Sequence, residues 1–300
     1  MIKIVEVGPR DGLQNEKTIL STEDKFSFIS LLSETGLKNI EVTSFVKASA
    51  IPQMSDAVEL FTKVQTRLGG TGINFPCLIP NMQGYEVAKK LGLKEIALFS
   101  ATSDSFTKKN VNATVEETFE RINEVALAAK KDGIRIRGYV STAFGCPYEG
   151  KMSVEKLIKV SERFYQLGAY EVSVGDTIGV ATPQQVRSYI KELKKSFSIN
   201  NMAMHFHDTR GMALTNILVS LEEGISTFDS SAGGLGGCPY AKGATGNVAT
   251  EDVWYLLQSM GLETGIDIAK LAQASKFILE KINRNTESKF LKAYFNTGKV

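Results

Sequence analysis

Eight times along this chain an apolar, β-rich run is followed by a helix-patterned segment. The runs occupy 2–7, 39–43, 74–79, 95–100, 135–141, 170–175, 202–207 and 227–232, so successive starts lie about 32 residues apart. Helical spacing fills the gaps, as over 55–68, 83–91, 115–132, 153–167, 183–197 and 212–223. Several of these segments stop at a glycine just before the next run: Gly92, Gly133, Gly168 and Gly224. Ser21-Thr22-Glu23-Asp24 reads as an N-cap with acidic residues in the first turn, and Gly36 is placed to end that helix. An eighth helix over 250–260 follows the last run. Alternation alone also fits an open doubly wound sheet, but eight βα units in about 260 residues favour a closed (β/α)8 TIM barrel. Without a linker or low-complexity tract, residues 1–300 read as a single domain. The barrel spans about 1–262, and a C-terminal helical extension spans about 263–300, with a helix over 267–282 and a polar tail.

Composition excludes several function classes. Lys and Arg number 35 against 33 Asp and Glu, a net charge of +2, which lacks the basic excess of a nucleic-acid or membrane-surface binder. With 43% hydrophobic and 23% charged residues the chain is of globular rather than disordered type. No apolar run approaches the roughly 18 residues that span a bilayer. Three widely spaced cysteines (Cys77, Cys146, Cys238) form no disulfide framework, and MIKIVEVGPRDG carries no targeting pattern, so a cytoplasmic location is expected.

In a barrel of this type the chemistry sits at the C-terminal ends of the strands. His205 and His207 fall at the end of the seventh run, and i, i+2 spacing on a strand aims both rings to one face. If the eighth strand pairs with the first, Asp11 and Asn247 join them. One carboxylate, two imidazoles and one amide oxygen form a donor set for Mg2+ or Mn2+, with Zn2+ left open. Arg10, beside Asp11, would place a permanent cation where an oxyanion develops. Glu41 and Asp176, strand-borne carboxylates, are expected to orient Arg10 and the ligands. The segment 233–247 is rich in glycine, matches no phosphate-loop motif, and reads as a flap carrying Cys238 as a proton donor or acceptor. Cys77 lies inside a run and reads as core.

Taken together, EVGPRDGLQNE (6–16), IEVTSF (40–45), FTKKN (106–110), FGCPYEG (144–150), GDTIG (175–179), HFHDTRG (205–211) and GGLGGCPYAKGATGN (233–247) resemble the 3-hydroxy-3-methylglutaryl-CoA lyase family over essentially the whole chain. The resemblance implies cleavage of that acyl-CoA to acetyl-CoA and acetoacetate at a divalent metal held by Asp11, His205, His207 and Asn247. It implies that Arg10 stabilises the enolate, that Cys238 delivers the proton, and that Asp11 serves as base or shuttle. Glu41 and Asp176 become supporting carboxylates. Gln14, Ser44, Asn110 and Ser173 join Arg10 around the substrate, and Lys47, Lys108 and Lys109 are candidates for the CoA phosphates. A homodimer is implied as well. The chain ends Asn296-Thr297-Gly298-Lys299-Val300, so neither a C-terminal thiol switch nor an organelle address is expected. A related aldol-type enzyme, either an acetyl-CoA-condensing synthase or a lyase for another 3-hydroxyglutaryl-CoA, would share the metal and Arg10.

Overall fold

Strands buried on both faces need near-continuous apolar or paired residues, and the runs supply them. A computed structural model describes residues 2–237 and 246–297. Among these, the strands are β1 (Lys3–Glu6), β2 (Asn39–Ile40), β3 (Cys77–Leu78), β4 (Glu95–Ala101), β5 (Arg135–Ser141), β6 (Gly145–Cys146), β7 (Gly150–Lys151), β8 (Glu171–Asp176), β9 (Met202–Phe206) and β10 (Thr227–Ser230). The helices are α1 (Thr22–Ser33), α2 (Ala57–Leu68), α3 (Met82–Lys90), α4 (Asp104–Val111), α5 (Val115–Lys131), α6 (Val154–Gln166), α7 (Pro183–Leu193), α8 (Ala213–Glu222), α9 (Thr250–Ser259), α10 (Ile268–Lys281) and α11 (Lys289–Thr297).

Eight strands form one parallel sheet in the order β2-β1-β10-β9-β8-β5-β4-β3. The first strand pairs with the last, Lys3 opposite Thr227 and Glu6 opposite Ser230. The sheet's two ends meet through parallel bridges Asn39–Asn74 and Ser44–Leu78. The Ile40 and Val42 N–H groups donate to the Asn74 and Pro76 carbonyls at 3.0 Å, and Leu78 N–H donates to Thr43 at 3.0 Å. The expected barrel is therefore closed, with its weakest seam between the second and third strands.

Side-chain caps fix the helix starts. Ser21, Asn81, Ser103, Thr114, Ser153 and Thr182 each accept an N–H from the residue three positions on. Between sheet and helices lies an apolar shell, including Phe28 and Leu32 of α1, Phe61 of α2, Phe119 of α5 and Phe164 of α6. Complete burial of such a side chain is worth about 1.5–3 kcal/mol. Inside the barrel the packing is different: among the described residues, Arg137 is the largest fully buried side chain.

Three elements depart from the sequence expectation. The segment after β4, carrying Lys108, Lys109 and Asn110, forms helix α4, which is not among the expected helical segments. Its apolar face is so short, with only Phe106 and Thr107 buried, that no periodicity shows. The segment after β5 forms a small hairpin, β6 with β7. The polar tail contains α11, whose first turn is fixed when the Asp252 carboxylate accepts from Ser288 Oγ (2.7 Å) and Phe290 N–H (2.8 Å). Phe290 then packs 5.6 Å from Trp254 of α9.

Candidate active site

After β1 the chain enters a tight π-type turn, Gly8–Gly12, with Pro9 at its start. The turn lies against the segment following β10. A Cβ on Gly12 would stand 2.7 Å from Ser231 Oγ and 2.9 Å from Leu235 Cβ, so only glycine fits. This packing turns Arg10 inward, where it is 6% exposed. Its guanidinium donates to Asp11 Oδ1 at 2.7 Å and to Glu41 Oε2 at 2.9 Å, and lies 5.4 Å from the Tyr139 ring. Glu41 is completely buried and also accepts from Tyr139 Oη at 3.0 Å. Glu41 thus lies where it was expected, against Arg10.

His205 lies on β9 and His207 just beyond, with ring centroids 5.4 Å apart. His205 Nε2 faces Asp11 Oδ2 at 4.0 Å. One ligand atom from each of Asp11, His205 and His207 falls within 4.8 Å of the others. Asn247 is bridged to His207 through the backbone, and its Nδ2 donates to Asp11 Oδ2 at 2.9 Å. Two polar atoms at this point, His207 Nδ1 and Asn247 Oδ1, are buried without a hydrogen-bond partner. Burying unpaired polar atoms is costly. A carboxylate, imidazoles and a free amide oxygen converging on one point form a donor set that a divalent cation satisfies. The residues present fit such an ion.

For Asp11 and His207 the charge states agree with that reading. Burial would raise the pKa of Asp11, but Arg10, the imidazoles and the Asn247 hydrogen bond hold it down at about 2. Asp11 is therefore ionised near neutral pH, the form that ligates a cation. His207 is pushed down to about 4 by burial and by its neighbour His205, so it is neutral, the form that binds metal. Burial opposes the charge on His205 too, but Asp229 and Asp11 more than compensate and raise it. Burial raises Glu41 despite Arg10.

Arg10, Asp11, His205 and His207 open onto a cavity of about 620 Å³. Gln14, Ser44, Asn110 and Ser173 all line it, as do Lys47 and Lys109. Lys108 is not among the lining residues. Segment 238–245, with Cys238, lies outside the described residues.

A site of this composition at the mouth of a closed barrel has known counterparts. Residues 1–278 match the model of the HMGL-like family. The chain belongs to the HMGL-like family. It is 49% identical over 292 residues to the human mitochondrial hydroxymethylglutaryl-CoA lyase, covering 97% of this chain and 89% of that protein. It is 50% identical over 295 residues to the mouse cytoplasmic 3-hydroxy-3-methylglutaryl-CoA lyase, covering 98% and 85%. A solved HMG-CoA lyase of Acinetobacter baumannii, in complex with coenzyme A and 3-methylmalate, superposes with a TM-score of 0.93 at 35% identity, covering 100% of this chain and 97% of that one. This chain is thus a lyase of the HMGL-like family.

Within this HMGL-like barrel one expected contact fails. Both Asp176 oxygens accept backbone N–H groups, from Val180 and Ala181, each at 2.9 Å. That carboxylate holds the turn after β8 and does not orient Arg10. Other buried groups had escaped the sequence reading. Arg137 donates to Asp229 Oδ1 (2.7 Å), Glu171 Oε1 (2.7 Å) and Tyr139 Oη (2.8 Å). Asp229 also accepts from Ser173 Oγ at 2.6 Å and lies 3.3 Å from His205 Nδ1. The available signal was an acid inside an apolar run, at a position where only an inward-facing charge would be tolerated. Cys77 is core, as expected, and Cys146 is buried 3.0 Å from Ser103 Oγ.

Proposed function

We propose that this lyase cleaves 3-hydroxy-3-methylglutaryl-CoA to acetyl-CoA and acetoacetate with a divalent metal, Mg2+ or Mn2+. The observation that carries the reading is the meeting of the Asp11–His205–His207 cluster with the Arg10 guanidinium on one wall of the cavity. Asp11, His205, His207 and Asn247 would hold the ion. When bound, it supplies Lewis acidity that lowers the pKa of the substrate hydroxyl. Transfer of that proton to Asp11, proposed as base or shuttle, lets the C2–C3 bond break, leaving negative charge on the thioester oxygen. Arg10 is fixed by Glu41 and Asp11 before the charge appears, so little reorganisation is needed to stabilise it. Cys238, at its place in the glycine-rich segment, is the proposed donor to the enolate carbon.

Gln14, Ser44, Asn110 and Ser173 are proposed to shape the acyl pocket, with Lys47 and Lys109 toward the CoA phosphates. The coenzyme A in the Acinetobacter structure supports that occupant. We read residues 1–300 as one catalytic unit working as a homodimer. For location the cytoplasm is proposed, supported by cysteine usage and by the mouse relative; no described helix is long and apolar enough to cross a membrane.

The test is a coupled acetoacetate assay on 3-hydroxy-3-methylglutaryl-CoA with a metal titration. Activity should vanish with chelator, return with Mg2+ or Mn2+, and fall by at least about 100-fold in Arg10→Gln. Near-wild-type kcat in that variant would overturn the assignment, and condensation of acetyl-CoA with a 2-oxo acid exceeding cleavage would favour a synthase.

A further inference from the structure

Asp229 sits at the centre of the barrel on β10, with its side chain fully buried. Two anchors lock its carboxylate. Arg137 donates to Oδ1 at 2.7 Å and reaches Oδ2 at 3.3 Å, while Ser173 Oγ donates to Oδ2 at 2.6 Å. Arg137 is itself immobilised by Glu171 and Tyr139. A third neighbour of Oδ2 is His205 Nδ1, at 3.3 Å. The opposite ring nitrogen, Nε2, points to Asp11. A carboxylate accepts and does not donate, so the nitrogen facing Asp229 carries the proton, and with a cation seated between Nε2 and Asp11 the other nitrogen presents its lone pair.

We infer that Asp229 is a positioning residue, which holds His205 in the Nδ1–H tautomer so that Nε2 is ready to ligate. This rests on the metal reading above. Asp229 also ties the two halves of the site together. From His205 the contacts run through Asp229, Arg137, Tyr139 Oη, Glu41, Arg10 and Asp11, and return to His205 Nε2. The path from His205 through Asp229 to Arg10 fixes the imidazole and the guanidinium against one another by contacts that do not involve the metal. His207, whose Nδ1 has no partner, has no such support.

The experiment is Mn2+ binding to the purified enzyme, read from the EPR signal of free Mn2+. In Asp229→Asn, Arg137 keeps the amide oxygen, and the amide N–H group turns toward Nδ1 and favours the wrong tautomer. Mn2+ affinity should weaken about 10- to 100-fold, the usual loss when a residue orienting a metal ligand is changed. Glu171→Gln removes a carboxylate from Arg137 without touching His205, and Mn2+ affinity should stay within about twofold of wild type. An unchanged affinity in Asp229→Asn, or an equal loss in Glu171→Gln, would reduce Asp229 to a counterion and overturn the inference. If Asp229→Asn does not fold, the tautomer is read from imidazole 15N shifts of the wild-type enzyme loaded with Mg2+. Protonated Nδ1 on His205 supports the inference and protonated Nε2 overturns it. Failure of the wild-type enzyme to bind Mn2+ at all is a separate result, which sinks the metal reading and this inference with it.

Discussion

The inside of this barrel and the shell around it are stabilised by opposite means. Outside the sheet, Phe119 and Phe164 pack as tilted rings with centroids 5.1 Å apart, and Phe28, Leu32 and Phe61 are wholly buried in apolar surroundings. Inside, Arg137 is equally buried but is surrounded by Asp229, Glu171 and Tyr139. The shell is non-directional and gains stability from area removed from water. The interior gains little net stability from its charges, because desolvation offsets most of their attraction, and each group depends on its partners. What the interior gains is placement, because a cation and an imidazole held by several directed bonds cannot drift. This follows the general pattern that sites trade stability for geometry.

The sharpest way to break the contrast is Arg137→Met. It leaves Asp229 and Glu171 buried without their cation and should cost about 3–5 kcal/mol. Urea unfolding would show the loss, and adding Asp229→Leu to the same chain should restore part of it. If Arg137→Met is as stable as wild type, the interior charges are not interdependent. A shell substitution should behave otherwise. Phe164→Ala should cost about 3 kcal/mol through a cavity, while kcat of the remaining folded enzyme stays near wild type. A tenfold fall in kcat at full occupancy of the fold would erase the distinction.

A third, smaller effect concerns buried carboxylates that have no cation. Glu251 accepts from Gly233 N–H and Ser275 Oγ, and burial, with Glu6 nearby, raises it to about 8. Glu6 accepts from the Gly8 and Ala232 N–H groups and is raised by burial to about 7. A raised folded-state value means that the native form holds protons that the unfolded chain has released. Their contribution is therefore full below about 4.5 and is lost as pH climbs to about 8, by no more than about 1.4 kcal/mol per pH unit for each group. Unfolding free energy measured from pH 5 to 8 should fall less steeply in Glu251→Gln than in wild type. Identical slopes would show that Glu251 is ionised in the native enzyme throughout that range.

The same contrast explains what was legible beforehand. Strands and helices could be read because the shell imposes a period on the sequence, and their boundaries fell close to those observed. Helix α7 ends at Leu193 rather than at 197, where its apolar stripe runs out. Short α4 buries too little to leave a stripe. Among site residues, the His205/His207 pair and the neighbouring Arg10 and Asp11 announced themselves by local spacing. Glu41 was legible as an acid at a strand end, but so was Asp176, and nothing local separates an acid that meets Arg10 from one that caps its own turn. Asp229 and Arg137, 92 positions apart, carried no local mark of their pairing.

From the sequence alone came the number of βα units, the inward histidines and the identity of the charged residues, because periodicity and composition are properties of neighbours along the chain. Tertiary structure decided which charge meets which. Only when the first strand pairs with the last do Asp11 and Asn247 stand beside the imidazoles, and only inside the closed ring does Asp229 find both Arg137 and His205. Electrostatic partnership depends on distance through space and on the exclusion of water, and both are set by closure of the barrel.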